Sequence, residues 1–82
     1  ITVQCSTGEG NIATILADVE AHHDGVSIGS YPWMKPGQLG TAVVVSGLDV
    51  ALTTRAAKTI KAEVRAFGAE ANIVNADVTP AD

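Results

Sequence analysis

Eighty-two residues hold one domain and leave no room for a second hydrophobic core; a chain of this size buries only about 60% of the surface that its unfolded form exposes. Its apolar share of 46% comes mostly from Ala, Val, Ile and Leu, and its net charge of -4 excludes a dedicated nucleic-acid binder, which needs excess Lys and Arg to displace counterions. A single cysteine, Cys5, excludes an internal disulfide and a cysteine-based zinc site, and no apolar run approaches the roughly 20 residues of a membrane span.

The first five residues alternate, with Ile1, Val3 and Cys5 on one side and Thr2 and Gln4 on the other, which predicts a half-buried strand. Ser6 to Gly10 reads as a turn. Ile12, Ile15, Leu16 and Val19 then recur at the spacing of an amphipathic helix, with Asn11 as its N-cap and Gly25 as its stop. Val26 and Ile28 open a short second strand that Pro32 and Pro36 interrupt, so Tyr31 to Gly40 reads as a connection. Within Thr41 to Ser46, the run Ala42-Val43-Val44-Val45 predicts the central, best-buried strand, closed by Gly47 and Asp49. Asp49 caps a second helix reaching Phe67, with Ala57, Ile60, Val64 and Phe67 as its apolar stripe and Gly68 as its stop. A last strand runs from Asn72 to Val78, ahead of Pro80.

This β-α-β-β-α-β order predicts an α+β, ferredoxin-like two-layer sandwich: a four-stranded antiparallel sheet with two helices on one face, residues 1–82 forming a single domain. The start at Ile1, straight into a strand and without an initiating Met, leads us to expect a piece of a larger protein.

No catalytic constellation and no metal site is expected. The turn Gly8-Glu9-Gly10 precedes a helix, where backbone N–H groups hold anions, but Glu9 opposes a phosphate there and the glycine fingerprint of nucleotide loops is missing. His22, His23 and Asp24 have the chemistry of metal ligands, yet adjacent helical side chains diverge by about 100°, so they read as a helix end. Cys5 reads as a small buried hydrophobe. Gly37-Gln38-Leu39-Gly40 spells the G-x-x-G string of K-homology domains, but it leads into a strand instead of joining two helices. An RNA-recognition domain needs aromatics on its central strands, and Ala42 to Val45 has none. The acylphosphatase option needs an Arg in the first turn, which Ser6 to Gly10 lacks.

Two features remain. Arg55, Lys58, Lys61 and Arg65 lie within roughly 120° on the second helix, as a solvated face or as a contact for an anion or acidic partner. The segment from Gly29 to Gly37 gathers Tyr31, Trp33 and Met34 between prolines; these are candidate interface residues, with Trp33 equally suited to folding back over a thin core.

The string Gly25-Val26-Ser27-Ile28-Gly29-Ser30-Tyr31-Pro32, with Glu9-Gly10-Asn11-Ile12-Ala13 before it and Leu39-Gly40-Thr41 and a Val-rich strand after it, resembles the C-terminal part of molybdopterin-binding-like proteins of the competence-damage-inducible (CinA-type) family. The likeness covers at least Glu9 to Phe67. It implies a non-catalytic C-terminal accessory domain whose partner is the larger N-terminal molybdopterin-binding-like domain, or a second copy; the single cysteine points to the cytoplasm, and charge and hydropathy to neither nucleic acid nor membrane. The larger domain would hold the ligand, molybdopterin or a nucleotide with a divalent metal, while this chain holds no cofactor. Some relatives hydrolyse nucleotide pyrophosphate bonds or accompany FAD synthesis. The alternative is a regulatory module binding a nucleotide or cofactor on the basic stripe or the Gly8-Gly10 turn.

Overall fold

The period-two pattern of the first residues has the expected result: Val3 and Cys5 turn inward and are buried, while Thr2 and Gln4 stay half-covered on the other side. In the computed structural model, which describes residues 1–75, they form β1 (Thr2–Cys5). There follow α1 (Glu9–Ala21), β2 (Val26–Lys35), β3 (Gln38–Gly47), α2 (Val50–Phe67) and β4 (Ala71–Asn75).

The strands lie in the order β2-β3-β1-β4, and every neighbouring pair is antiparallel. Two split β-α-β units thus interlock, β3 lying between β1 and β2 and β1 between β3 and β4. Both helices cover one face, as the α+β ferredoxin-like sandwich requires. Residues opposite one another in the ladder share a face. The covered face therefore takes Val3, Val43 and Ile73 in one row and Cys5, Thr41 and Ala71 in the next. From the helices, Ile12, Leu16 and Val19 of α1 and Ala56, Ala57, Ile60 and Val64 of α2 complete the core. Burying each large aliphatic side chain contributes about 1.5–3 kcal/mol, so this one layer holds the fold together. The three buried threonine hydroxyls are satisfied: Thr41 donates to the Thr7 carbonyl at 2.9 Å, Thr53 to that of Asp49 at 2.8 Å, and Thr7 accepts from the Asn11 side-chain amide at 3.0 Å.

The second helix starts and stops where its sequence says. The Asp49 side chain accepts from the Leu52 amide, and Gly68 takes the left-handed conformation at φ 114°. Phe67 does not join the buried stripe; it is 53% exposed, one turn beyond the last core position, Val64. The first helix begins two residues ahead of Asn11, with Gly8 as N-cap, and Asn11 reaches back instead to the Thr7 hydroxyl at 3.0 Å. It ends at Ala21, ahead of Gly25, because His22 and His23 place ring nitrogens on the carbonyls of Asp18 and Val19, both at 2.7 Å.

The largest departure is the segment from Tyr31 to Gly40. It is not a connection but the distal half of a long hairpin, turned by Pro36 and Gly37 alone, with Gly37 at φ 77°. Pro at the first and Gly at the second corner is the sequence of a type II turn. Pro32 sits inside β2, paired with Thr41, because β2 is an edge strand. Only alternate residues of the Ala42 to Val45 run are in the core: Val43 and Val45 are fully buried, and Ala42 and Val44 lie half-covered on the opposite face. The expected final strand to Val78, and Pro80, extend outside the described residues.

Candidate functional site

Among the described residues, the helices leave one sheet face uncovered. Register puts Tyr31 opposite Ala42 and Trp33 opposite Gly40 there, flanked by Val44 and by Thr2 and Gln4 of β1. The two aromatics lie down over glycines. A Cβ built on Gly40 would stand 2.4 Å from Trp33 Cζ2, and one on Gly29 would stand 3.3 Å from the Tyr31 ring. The indole N–H donates to Gln4 Oε1 at 3.0 Å, and Lys35 Nζ sits 5.3 Å from the ring centroid, within cation–π reach. Trp33 is thus fixed and half-buried, while Tyr31 keeps 60% of its surface in solvent.

Met34 belongs elsewhere. Its neighbours in sequence point to the opposite face, so it pairs with Leu39 on the helix side of the hairpin, where the two remain 81% and 51% exposed. The three residues expected to form one contact therefore serve two faces of the same arm.

The basic stripe is also divided. Arg65 donates through Nε to the Ala71 carbonyl and through Nη2 to Asn72 Oδ1, both at 3.0 Å, which straps β4 to the end of α2. Arg55 and Lys58 are exposed and Lys61 half-exposed along the outer side of the helix. At the Gly8-Glu9-Gly10 turn, the Glu9 carboxylate occupies the positive end of α1 and accepts a hydrogen bond from the Ser30 hydroxyl. The Cys5 thiol is buried at 1% exposure, and desolvation pushes its pKa up, which removes thiolate character.

His22 and His23 do come together with other polar groups, on the helical layer. They line a groove of about 290 Å³ between α1 and α2 with Thr14, Ile15, Asp18, Val19, Thr59 and Glu63. Among the described residues no group of three or more His, Cys, Asp or Glu side chains is placed to hold a metal ion. No helix among them is long and apolar enough to cross a membrane.

Against this geometry, a family model described as "FAD synthase, middle domain" matches residues 1–72. The chain belongs to that family. No curated protein and no solved structure matches it significantly. The match overturns the resemblance to the CinA-type molybdopterin-binding proteins, and with it the C-terminal accessory role and the molybdopterin-binding-like partner domain. The physical reason lies in the residues that carried that likeness. Gly25 turns the chain at φ 87°, Gly29 lies under Tyr31, and Gly40 lies under Trp33. These glycines answer to backbone geometry, Gly25 at the turn between α1 and β2 and Gly29 and Gly40 under the aromatics of the hairpin, and they carry no side chain that would identify a ligand.

Sequence reasoning passed over Gln4, Val44 and the interhelical groove. Gln4 and Val44 were legible as the outward half of alternating strands once the sheet order was known. The groove joins residues 45 positions apart, Thr14 and Thr59, and no local pattern announces it.

Proposed function

We propose that this chain is the middle domain of an FAD synthase and works as a packing unit, its open sheet face seated against a neighbouring part of the same protein. The observation that carries the reading is the uncovered face of Tyr31, Trp33, Ala42 and Val44, on a domain whose other face is already closed by its own helices. A half-covered apolar sheet face in a thin domain gains from a second layer. A family defined as a middle domain has neighbours to supply one. The chemistry of FAD formation belongs to those neighbours: Cys5 is buried and protonated, and the Nδ1 atoms of His22 and His23 are committed to backbone carbonyls.

The test uses the full-length protein that contains this chain. Val44→Lys places a charge on the open face without touching the core, and should lower the rate of FAD formation and split thermal unfolding into two transitions. A rate and a melting profile unchanged by Val44→Lys would sink the reading, as would FAD formation by the 82-residue chain alone.

A further inference from the structure

The groove between α1 and α2 opens on the helical layer, opposite the sheet face, so what it holds is a separate matter from the packing proposed above. Its volume of about 290 Å³ lies at the bottom of the range for small-molecule sites, roughly 300–1,000 Å³. A flavin dinucleotide does not fit in it. One long side chain does.

Apart from the Thr14 hydroxyl, the polar side chains around it offer acceptors. A carbonyl oxygen only accepts, so the Nδ1 atoms of His22 and His23, each 2.7 Å from one, carry the ring hydrogens and leave both Nε2 atoms as acceptors in the neutral rings. The Thr59 hydroxyl donates to the Arg55 carbonyl at 2.9 Å, which leaves its lone pairs. Asp18 and Glu63 add two carboxylates, one from each helix, while Ile15 and Val19 supply an apolar floor. Among the described residues no Lys or Arg lines the groove.

On the α1 side the charge has the same sign, while α2 carries Arg55, Lys58, Lys61 and Arg65, none of which lines the groove. Residues 1–34 contain Glu9, Asp18, Glu20 and Asp24 and no Lys or Arg at all. An apolar slot rimmed by acceptors on an acidic helix is complementary to a guanidinium, whose flat faces lie on aliphatic carbons while its five N–H groups reach acceptors around its edge. We propose that this groove seats an Arg side chain presented by a protein partner.

The probe is N-acetyl-arginine N-methylamide, titrated into the 15N-labelled 82-residue chain and followed by amide chemical shifts, with the lysine and leucine analogues alongside. The expected result is a saturable perturbation confined to Thr14–His23 and Thr59–Glu63. Arginine should bind more tightly than lysine, and leucine should have no effect. The double variant Asp18→Asn, Glu63→Gln changes two exposed side chains, so its spectrum will report a retained fold, and it should weaken arginine binding at least tenfold. Shifts that spread beyond those segments, to Glu9 and Asp24, would reveal charge screening alone and overturn the proposal. Equal binding of the lysine analogue, or unchanged affinity in the double variant, would overturn it as well.

Discussion

Trp33 lies across Gly40 on the adjacent strand so closely that one added methyl group has no room, its Cβ falling 2.4 Å from Cζ2 of the indole and 2.7 Å from the Cys5 carbonyl oxygen. The indole can swing aside; the backbone oxygen of a central strand cannot. Gly40→Ala is therefore expected to destabilise the chain by about 1–3 kcal/mol, the usual cost of overpacking. Urea unfolding followed by the fluorescence of Trp33, the only tryptophan, measures it. Gly10→Ala is the control, because nothing lies within 4 Å of the new methyl group. It should leave stability unchanged or raise it by up to about 1 kcal/mol, and a Gly40→Ala midpoint no lower than that of Gly10→Ala would refute the packing argument.

The four basic residues of α2 should separate into two kinds under alanine substitution. Arg65→Ala breaks the two bonds that hold β4 and is expected to cost about 1 kcal/mol or more. Arg55→Ala and Lys58→Ala change exposed side chains and should stay within about 0.5 kcal/mol of the parent. Amide exchange gives the sharper readout: Arg65→Ala should speed exchange across Ala71–Asn75 while β1 and β3 keep their protection. Equal effects from all three would mean that the strap contributes nothing.

Burial of Cys5 gives stability a defined dependence on pH. Desolvation raises the thiol pKa in the folded state above its value in the unfolded chain. The neutral thiol is thus favoured by folding, and its contribution is fully present below the unfolded pKa of about 8.5. Above that value the unfolded chain releases the proton first, so stability falls as the pH climbs toward the folded pKa. Cys5→Ala should remove this alkaline component. An alkaline slope of the same size in Cys5→Ala would place its origin elsewhere. Alkylation of the thiol by iodoacetamide in the native chain should be slow at neutral pH.

Much of this fold is written in local periods. The alternation of Ile1 to Cys5, the Asp49 cap and the Gly68 stop each act within one turn or one strand, and the structure places them where the pattern does. The hairpin was hidden because Pro32 looks like a strand breaker, and what permits it is the position of β2 at the sheet edge, a property of the whole topology. The same holds for the Ala42 to Val45 run, which reads as continuous burial although only alternate residues meet the helices. The candidate sites were less legible still. Trp33 meets Gln4 only once β2, β3 and β1 have paired, and Asp18 and Glu63 line one groove only once the two helices have packed; neither pair leaves a spacing in the sequence. Family membership escaped for a related reason, since the most distinctive short string encodes a backbone shape.

The edge itself yields the last prediction. The amide of Ile28 donates to the Glu20 carboxylate at 3.1 Å, so it points away from β3 and out of the sheet. Amides two residues apart on a strand point the same way, which puts the nitrogens of Ser30, Pro32 and Met34 on that open edge too. Pro32 therefore sits where a missing N–H costs no ladder bond, and it removes a donor that another strand could use. Glu20 blocks a second. Exposed edges recruit other strands, and a proline or a charge at the edge prevents it. Pro32→Val restores the outward donor and a strand-favouring side chain, and Glu20→Ala frees the Ile28 amide. The double variant is expected to keep the monomer's circular dichroism at low concentration and to associate as concentration rises, in light scattering and in sedimentation. Glu20→Ala alone should associate less, because Pro32 still interrupts the row of donors. A double variant whose mass stays constant across the concentration range would show that these two residues do not guard the edge.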